Sequence, residues 1–254
     1  MKKWIAKKPY TIKLRHAAIM ATALVIMAGL AMISPAFFRL NNIEPKQKVM
    51  LSFNVSESAD IVQWCKDLSS LLNRHNLGAS VFIVGKVAEQ YPQVVSSFGD
   101  KVDIGSQTYS DLNLTDISDY SVKLQEVKDG KMAVDNAGNL NTRVFRAPLG
   151  ATDGDIYSLL SRSGILADFS YETQYNVYKD GQFVKYDALV YEARNYSTDF
   201  FSTLSQATKP IIIVFDNGYP ISDVEAVILG LKKADVEFVS ASELTGLTLT
   251  TRGG

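Results

Sequence analysis

Seven short apolar runs recur along the chain, separated by stretches with one apolar helical face, and no other feature restricts the possible fold as much. They are KVMLSF (48–53), ASVFIV (79–84), KVDI (101–104), TRVFR (142–146), GILADF (164–169), PIIIVF (210–215) and VEFVS (236–240). Runs this short and this rich in β-branched and aromatic residues read as buried strands. Between them, Asp60 to His75 sets Ile61, Trp64, Leu68, Leu71 and Leu72 on one face of a helix, and a second long helical stretch covers Asp116 to Asn136. Strand followed by helix, repeated, predicts an α/β fold with a mostly parallel sheet. The repeat predicts a deformed (β/α) barrel of about seven parallel strands over residues 48–250, with 251–254 as a tail. In that architecture function gathers at the C-terminal ends of the strands. Those ends fall at Asn54-Val55, Gln107 to Asp111, Arg146 to Gly150, the residues after Phe169, and Phe215 to Gly218.

The N-terminal part obeys another rule. From Ala17 to Phe38 the chain runs 22 residues without a charge, which as a helix spans roughly 33 Å, enough to cross a bilayer. Lys2, Lys3, Lys7, Lys8, Lys13 and Arg15 precede it with no acidic residue. The expectation is a cytoplasmic basic segment (1–16), a single-pass transmembrane anchor (17–38), a linker (39–47) and an extracytoplasmic domain. A cleaved signal peptide is the other reading, with Ala28, Ala31 and Ala36 as small residues for a cleavage site. Residues 1–39 hold seven of the 26 Lys and Arg and none of the 27 Asp and Glu, so the remainder carries a net charge of −8. That balance argues against nucleic acid as a partner. The single cysteine, Cys65, excludes an intramolecular disulfide framework and a cysteine-rich zinc site.

One loop raises a chemical question. DIGSQTYSDLNL (103–114) places Gln107 and Asp111 four positions apart after a strand end, a spacing at which two side chains can converge on one metal ion or simply decorate a surface turn. With its neighbours the loop resembles the polysaccharide deacetylases of carbohydrate esterase family 4, over nearly all of residues 46–247. ASVFIV, the Tyr91-Pro92 step, DIGSQTYSDL, FRAPLG (145–150) and KPIIIVFDNG (209–218) follow the order of that family's segments. The resemblance implies a (β/α) barrel hydrolysing N-acetyl groups on glycans with a divalent metal held by one Asp and two His.

The residues that would carry this chemistry are replaced. The family's base and its metal-binding Asp correspond to Asn54 and Val55, the two metal-binding histidines to Gln107 and Asp111, and the general-acid histidine to Phe215. The chain's two histidines, His16 and His75, lie in the anchor region and the first helix. Metal-assisted deacetylation needs an activated water, a base and an acid, where acid–base catalysis typically contributes about 10²–10⁴-fold. Valine ligates nothing, and Gln107 with Asp111 is a poor set for zinc, nickel or cobalt. Gly105, Thr108, Tyr109, Ser110, Leu112, Arg146, Pro148, Gly150 and Asp216 still match the family, so the frame is expected to persist without catalytic residues, metal or cofactor. Arg146 steadies the catalytic aspartate in the family. Beside Asn54 it is left to bridge Asp111, Asp103 or Asp216, while Glu172 and Tyr175 sit near the family's fourth motif. Asn54-Val-Ser, Asn113-Leu-Thr and Asn195-Tyr-Ser fit the N-glycosylation pattern, close to the number chance provides.

Two functions follow from the same residues. The favoured one is a membrane-anchored pseudoenzyme that binds envelope glycan or envelope protein. The alternative is an active envelope hydrolase using a histidine-independent set such as Asp103, Asp111, Asp216 and Glu172. A glycan groove would draw on Asn54, Gln107, Tyr109, Asp111, Arg146, Asp216 and Asn217, whose amide, hydroxyl and aromatic groups suit sugars. In a closed mouth, Phe215 would pack inward as core and Arg146 would be locked in an ion pair, leaving the outer helices or loops to bind a protein.

Overall fold

The structure is a computed structural model that describes residues 46–193, 204 and 207–253. The expected basic segment, the transmembrane run 17–38, the linker up to residue 45, His16 and Asn195 lie outside the described residues. Among the described residues no helix is long and apolar enough to cross a membrane.

A ten-stranded sheet curls around an apolar interior. From β1 (Lys48–Val55) it runs one way through β2 (Ala79–Ile83), β3 (Val102–Ser106), β5 (Val144–Phe145) and β6 (Ala167–Asp168), all parallel. The other way it runs through β10 (Ile211–Asp216) to β9 (Leu189–Glu192), again parallel, while β11 (Glu237–Phe238) pairs with the start of β1. Each of the seven apolar runs therefore carries a strand. Helices cover the outside: α1 (Ile61–His75), α2 (Gly85–Gln90), α3 (Pro92–Ser96), α4 (Tyr120–Gly138), α5 (Ile156–Arg162), α6 (Ile221–Lys233) and α7 (Ala241–Thr245).

The sheet departs from a plain parallel barrel at one side. β7 (Gln174–Lys179) and β8 (Gln182–Asp187) extend it beyond β6 as an antiparallel hairpin. Their turn, Asp180 (φ 51°) and Gly181 (φ 89°), needs left-handed backbone at both positions, which Asp-Gly supplies. This hairpin lacks an apolar run because most of β8 faces solvent; β7 is held by its ladder to β6 and by Tyr175 and Val177 in the interior, and β8 by cross-strand pairs such as Tyr186 with Tyr175. Among the described residues no ladder joins β8 to β9; the chain itself crosses that seam at Ala188, whose N–H donates to the Thr173 carbonyl at 3.0 Å. A second small sheet pairs β4 (Leu140–Thr142) with β12 (Thr250–Arg252).

Side-chain alternation sorts the core into layers. Val49, Leu51, Phe53 and Val55 of β1 face outward with Ile211, Ile213 and Phe215 of β10, against Ile61, Trp64 and Leu68 of α1 and Val224 and Ile228 of α6. Met50, Phe82, Val144, Phe169 and Ile212 fill the barrel interior. Helix ends follow local chemistry: Asp119 accepts from the Ser121 N–H at the start of α4, Ser240 and Glu243 form a capping box on α7, and Asn76 closes α1 in the left-handed conformation.

Candidate functional site

The strand ends named by the sequence do converge at the C-terminal rim of the sheet. Asn54 lies in register with Phe82 of β2 on one side and with Asp216 of β10 on the other. Across the interior, Arg146 follows β5 and is 5% exposed. Its Nε donates to the Phe169 carbonyl at 2.9 Å, its Nη1 to Ser52 Oγ at 2.6 Å and to Asn54 Oδ1 at 3.4 Å, and its guanidinium stands 4.6 Å over the Phe82 ring. No bridge to Asp111, Asp103 or Asp216 forms, which corrects the expected partners of Arg146. Burial lowers the Arg146 pKa to about 10, and the carboxylate whose field opposes that fall is Asp168.

Asp168 and Ser170 are functional neighbours that the motif reading passed over. Asp168 is fully buried; desolvation raises its pKa to about 6, offset by donors from Ser170 and Asn176 and by the charge of Arg146. The Ser170 hydroxyl donates to Asp168 and accepts the Ala147 N–H at 2.8 Å, fixing the Pro148–Gly150 turn. A carboxylate inside the apolar run GILADF was the available signal.

The positions of the lost chemistry take different routes. Val55 (0% exposed) and Phe215 (1%) belong to the outer hydrophobic layer. Phe215 stacks on Phe53 at 5.1 Å and meets Tyr219 edge-on at 5.6 Å. Gln107 is buried at the end of β3, with its Nε2 donating to the Phe82 carbonyl at 3.0 Å. Asp111 stays at the rim with φ 60°; partial burial raises its pKa, and the Ser56 hydroxyl bond lowers it. Tyr109 turns toward α2, where its hydroxyl donates to Glu89 at 2.5 Å and Lys86 lies 5.9 Å from its ring. Asn217 ties the loop after β1, accepting the Ser56 N–H at 3.0 Å and donating to Ser58 Oγ at 2.9 Å, while Asp216 accepts the Gly218 N–H at 2.9 Å.

Helix α4 braces the Gln107 loop from outside. The Tyr109 N–H donates to the Glu126 carbonyl, the Ser110 N–H to the Glu126 carboxylate, and Gly130 allows backbone contact. A Cβ on Gly130 would stand 2.3 Å from the Gln107 carbonyl oxygen. Within the Pro148–Gly150 turn, Leu149 holds φ 58° with 93% of its surface exposed, an uncommon backbone for a leucine.

Other candidates are dispersed. Asp103 binds the Ser242 N–H at 2.6 Å and the Ser242 hydroxyl at 2.7 Å on α7, so it does not join Asp111 and Asp216. Glu172 lines an open groove of about 520 Å³ with Lys185, Asp187 and Lys209 at the β8–β9 seam, and Tyr175 stacks between Phe169 and Tyr186. His75 bonds Glu225 and Lys232 across α1 and α6. Cys65 is buried, its thiol pushed up to about 12 by desolvation. Asn113 accepts the Thr115 N–H through its Oδ1 at the short turn, and Asn54 lies under Arg146, a poor place for a glycosylation acceptor.

The donor set does not fit a divalent metal of the resembled family. Val55 has no donor atom, Gln107 has committed its amide N–H to backbone, and Asp111 alone brings a charge. Among the described residues no three His, Cys, Asp or Glu side chains gather to hold an ion.

The family description polysaccharide deacetylase matches residues 41–167, half of the chain. Among curated proteins none matches. Among solved structures, a family 4 carbohydrate esterase from Streptomyces lividans in complex with acetate is 18% identical, with TM-score 0.57, covering 78% of this chain and 93% of that one. The Bc1960 peptidoglycan N-acetylglucosamine deacetylase is 15% identical, TM-score 0.60, covering 80% and 90%. BA3943, a family 4 pseudoenzyme from Bacillus anthracis, is 14% identical, TM-score 0.59, covering 78% and 65%. Likeness at these identities speaks for the fold.

Proposed function

The chain belongs to the polysaccharide deacetylase family, and on that premise we propose that it is a membrane-anchored, extracytoplasmic pseudoenzyme of the cell envelope. It binds envelope glycan or an envelope protein and does not hydrolyse. One observation carries the reading: the positions of a family metal ligand and of the general acid, Val55 and Phe215, are side chains of the outer hydrophobic layer. The loss is therefore built into the packing and extends beyond a few exchanged ligands. Gln107 supports it by donating to Phe82. The six basic residues ahead of the uncharged run 17–38 support the anchored, exported topology. A family 4 pseudoenzyme occurs on the same fold, so a non-catalytic role has precedent there.

Elemental analysis and assays on chitooligosaccharides and acetylated peptidoglycan fragments test inactivity. The expected outcome is no stoichiometric zinc, cobalt or nickel and no acetate release; chelator-sensitive turnover would overturn the reading. Titration with envelope oligosaccharides, repeated on Tyr109→Ala and Arg146→Ala, separates groove from scaffold. Saturable binding weakened by both changes places the ligand at the mouth, whereas no glycan binding leaves protein contact as the function.

A further inference from the structure

Arg146 is a nearly buried cation with an unusual set of partners. Among the described residues no carboxylate lies within ion-pair distance of it; its bonds go to a carbonyl, a hydroxyl and an amide oxygen, with an aromatic face beside it. Buried charges are ordinarily paired, because an unpaired one retains most of its desolvation penalty. Its Nη2 donates to no described residue, and neither does the Nδ2 of Asn54, the side chain in contact with it. Two donors thus stand together where the resembled family holds an aspartate. Of the two, Asn54 is part-buried and Arg146 is 5% exposed, so Asn54 is the more accessible member of the pair.

We propose that the Arg146–Asn54 pair binds the carboxylate of an anionic ligand. The exchange that removed the base left its guanidinium partner in place, and an external carboxylate supplies the missing charge. The inference rests on the pseudoenzyme reading of the same mouth. Register defines the approach: Phe82, on which Arg146 stacks, flanks Asn54 on the β2 side, and Asp216 flanks it on the β10 side. Of the two rim carboxylates, Asp216 accepts the Gly218 N–H and Asp111 is exposed. A guanidinium N–H and an amide N–H can each donate to one oxygen of a carboxylate, the bond from the charged donor being the stronger. Asp168 also offsets the Arg146 charge, so binding is weak for a small anion and tighter where a sugar ring adds contacts.

The test uses the full chain in a non-ionic detergent, at constant ionic strength, titrated by calorimetry with sodium acetate and with sodium glucuronate. Acetamide and glucose are the neutral counterparts, and sodium chloride the general anion. Expected is saturable binding of at least one carboxylate below about 50 mM, with none of the neutral compounds or chloride. Glucuronate tighter than acetate identifies an acidic sugar, and equal affinities identify a small free carboxylate. Asn54→Asp supplies the charge internally and keeps the guanidinium. It should raise the unliganded Tm and weaken carboxylate binding about tenfold or more. No carboxylate binding, an equal response to chloride, or unchanged binding in Asn54→Asp overturns the proposal. Neutral glycan binding with no carboxylate dependence would sink this inference alone, whereas metal-dependent acetate release by the native chain would sink the pseudoenzyme reading beneath it.

Discussion

Truncating Phe215 to alanine distinguishes a packed outer layer from a ligand-lined mouth. The ring is 1% exposed, stacked on Phe53 at 5.1 Å and 16°, and edge-on to Tyr219 at 5.6 Å. Deleting a fully buried Phe costs about 3–5 kcal/mol, a range that already includes the aromatic contacts. For a domain of this size each kcal/mol moves Tm by about 2–4 °C, so Phe215→Ala should melt roughly 6–20 °C below the parent chain. Phe215→His, which reinstates the family's side chain, should also destabilise. The histidine ring would carry polar nitrogens into a layer of Trp64, Ile61 and Val224, where an unsatisfied donor adds about 1–3 kcal/mol. The assay is urea and thermal unfolding followed by near-ultraviolet circular dichroism. A loss under about 1 kcal/mol for Phe215→Ala, or a Phe215→His chain as stable as its parent, would refute the packing argument, because side chains at solvent-lined positions usually change stability by about 0.5 kcal/mol or less.

Gly130→Ala should destabilise by about 1–3 kcal/mol, although alanine in a helix is normally about 1 kcal/mol better than glycine, because its Cβ would meet the Gln107, Thr108 and Tyr109 backbone at 2.3–2.9 Å. Unfolding midpoints give the sign, and a stabilised variant would show that α4 can shift away from the loop. Asp168 has a folded pKa near 6, above its ordinary 3.8. The folded state then binds the extra proton in that window, so the Asp168 contribution to stability is present below about pH 4 and is lost as pH rises to about 6. Asp168→Asn should remove that slope, and parallel profiles for the two proteins between pH 4 and 6 would contradict it. Protease added to intact cells should remove residues 46–254 from an anchored, exported chain, and full protection or a mature N-terminus beyond Ser34 would contradict the topology.

Pattern carried most of the fold. The apolar runs are long enough and buried enough to declare themselves as strands, and Ile61, Trp64, Leu68, Leu71 and Leu72 at helical spacing declare α1 within one residue of its start. The hairpin Gln174–Asp187 escaped because polar residues interrupt both of its strands: Asn176 is buried between Tyr175 and Val177 in β7, and β8 is mostly exposed. Identity also fixed which chemistry is absent: no arrangement of Asn54, Val55, Gln107, Asp111 and Phe215 recreates three histidines and two aspartates. Composition alone, however, could not say which layer each of these side chains joins. Strand alternation and register decided that, turning Val55 and Phe215 toward the helices while Asn54 and Ser52 meet Arg146. The same sequence left Arg146 with three candidate carboxylates, and only the folded distances excluded them. Electrostatic pairing depends on a few ångströms between residues dozens of positions apart, which a linear pattern does not encode. Asp168, 22 residues beyond Arg146, is the charge it feels because β5 and β6 lie side by side.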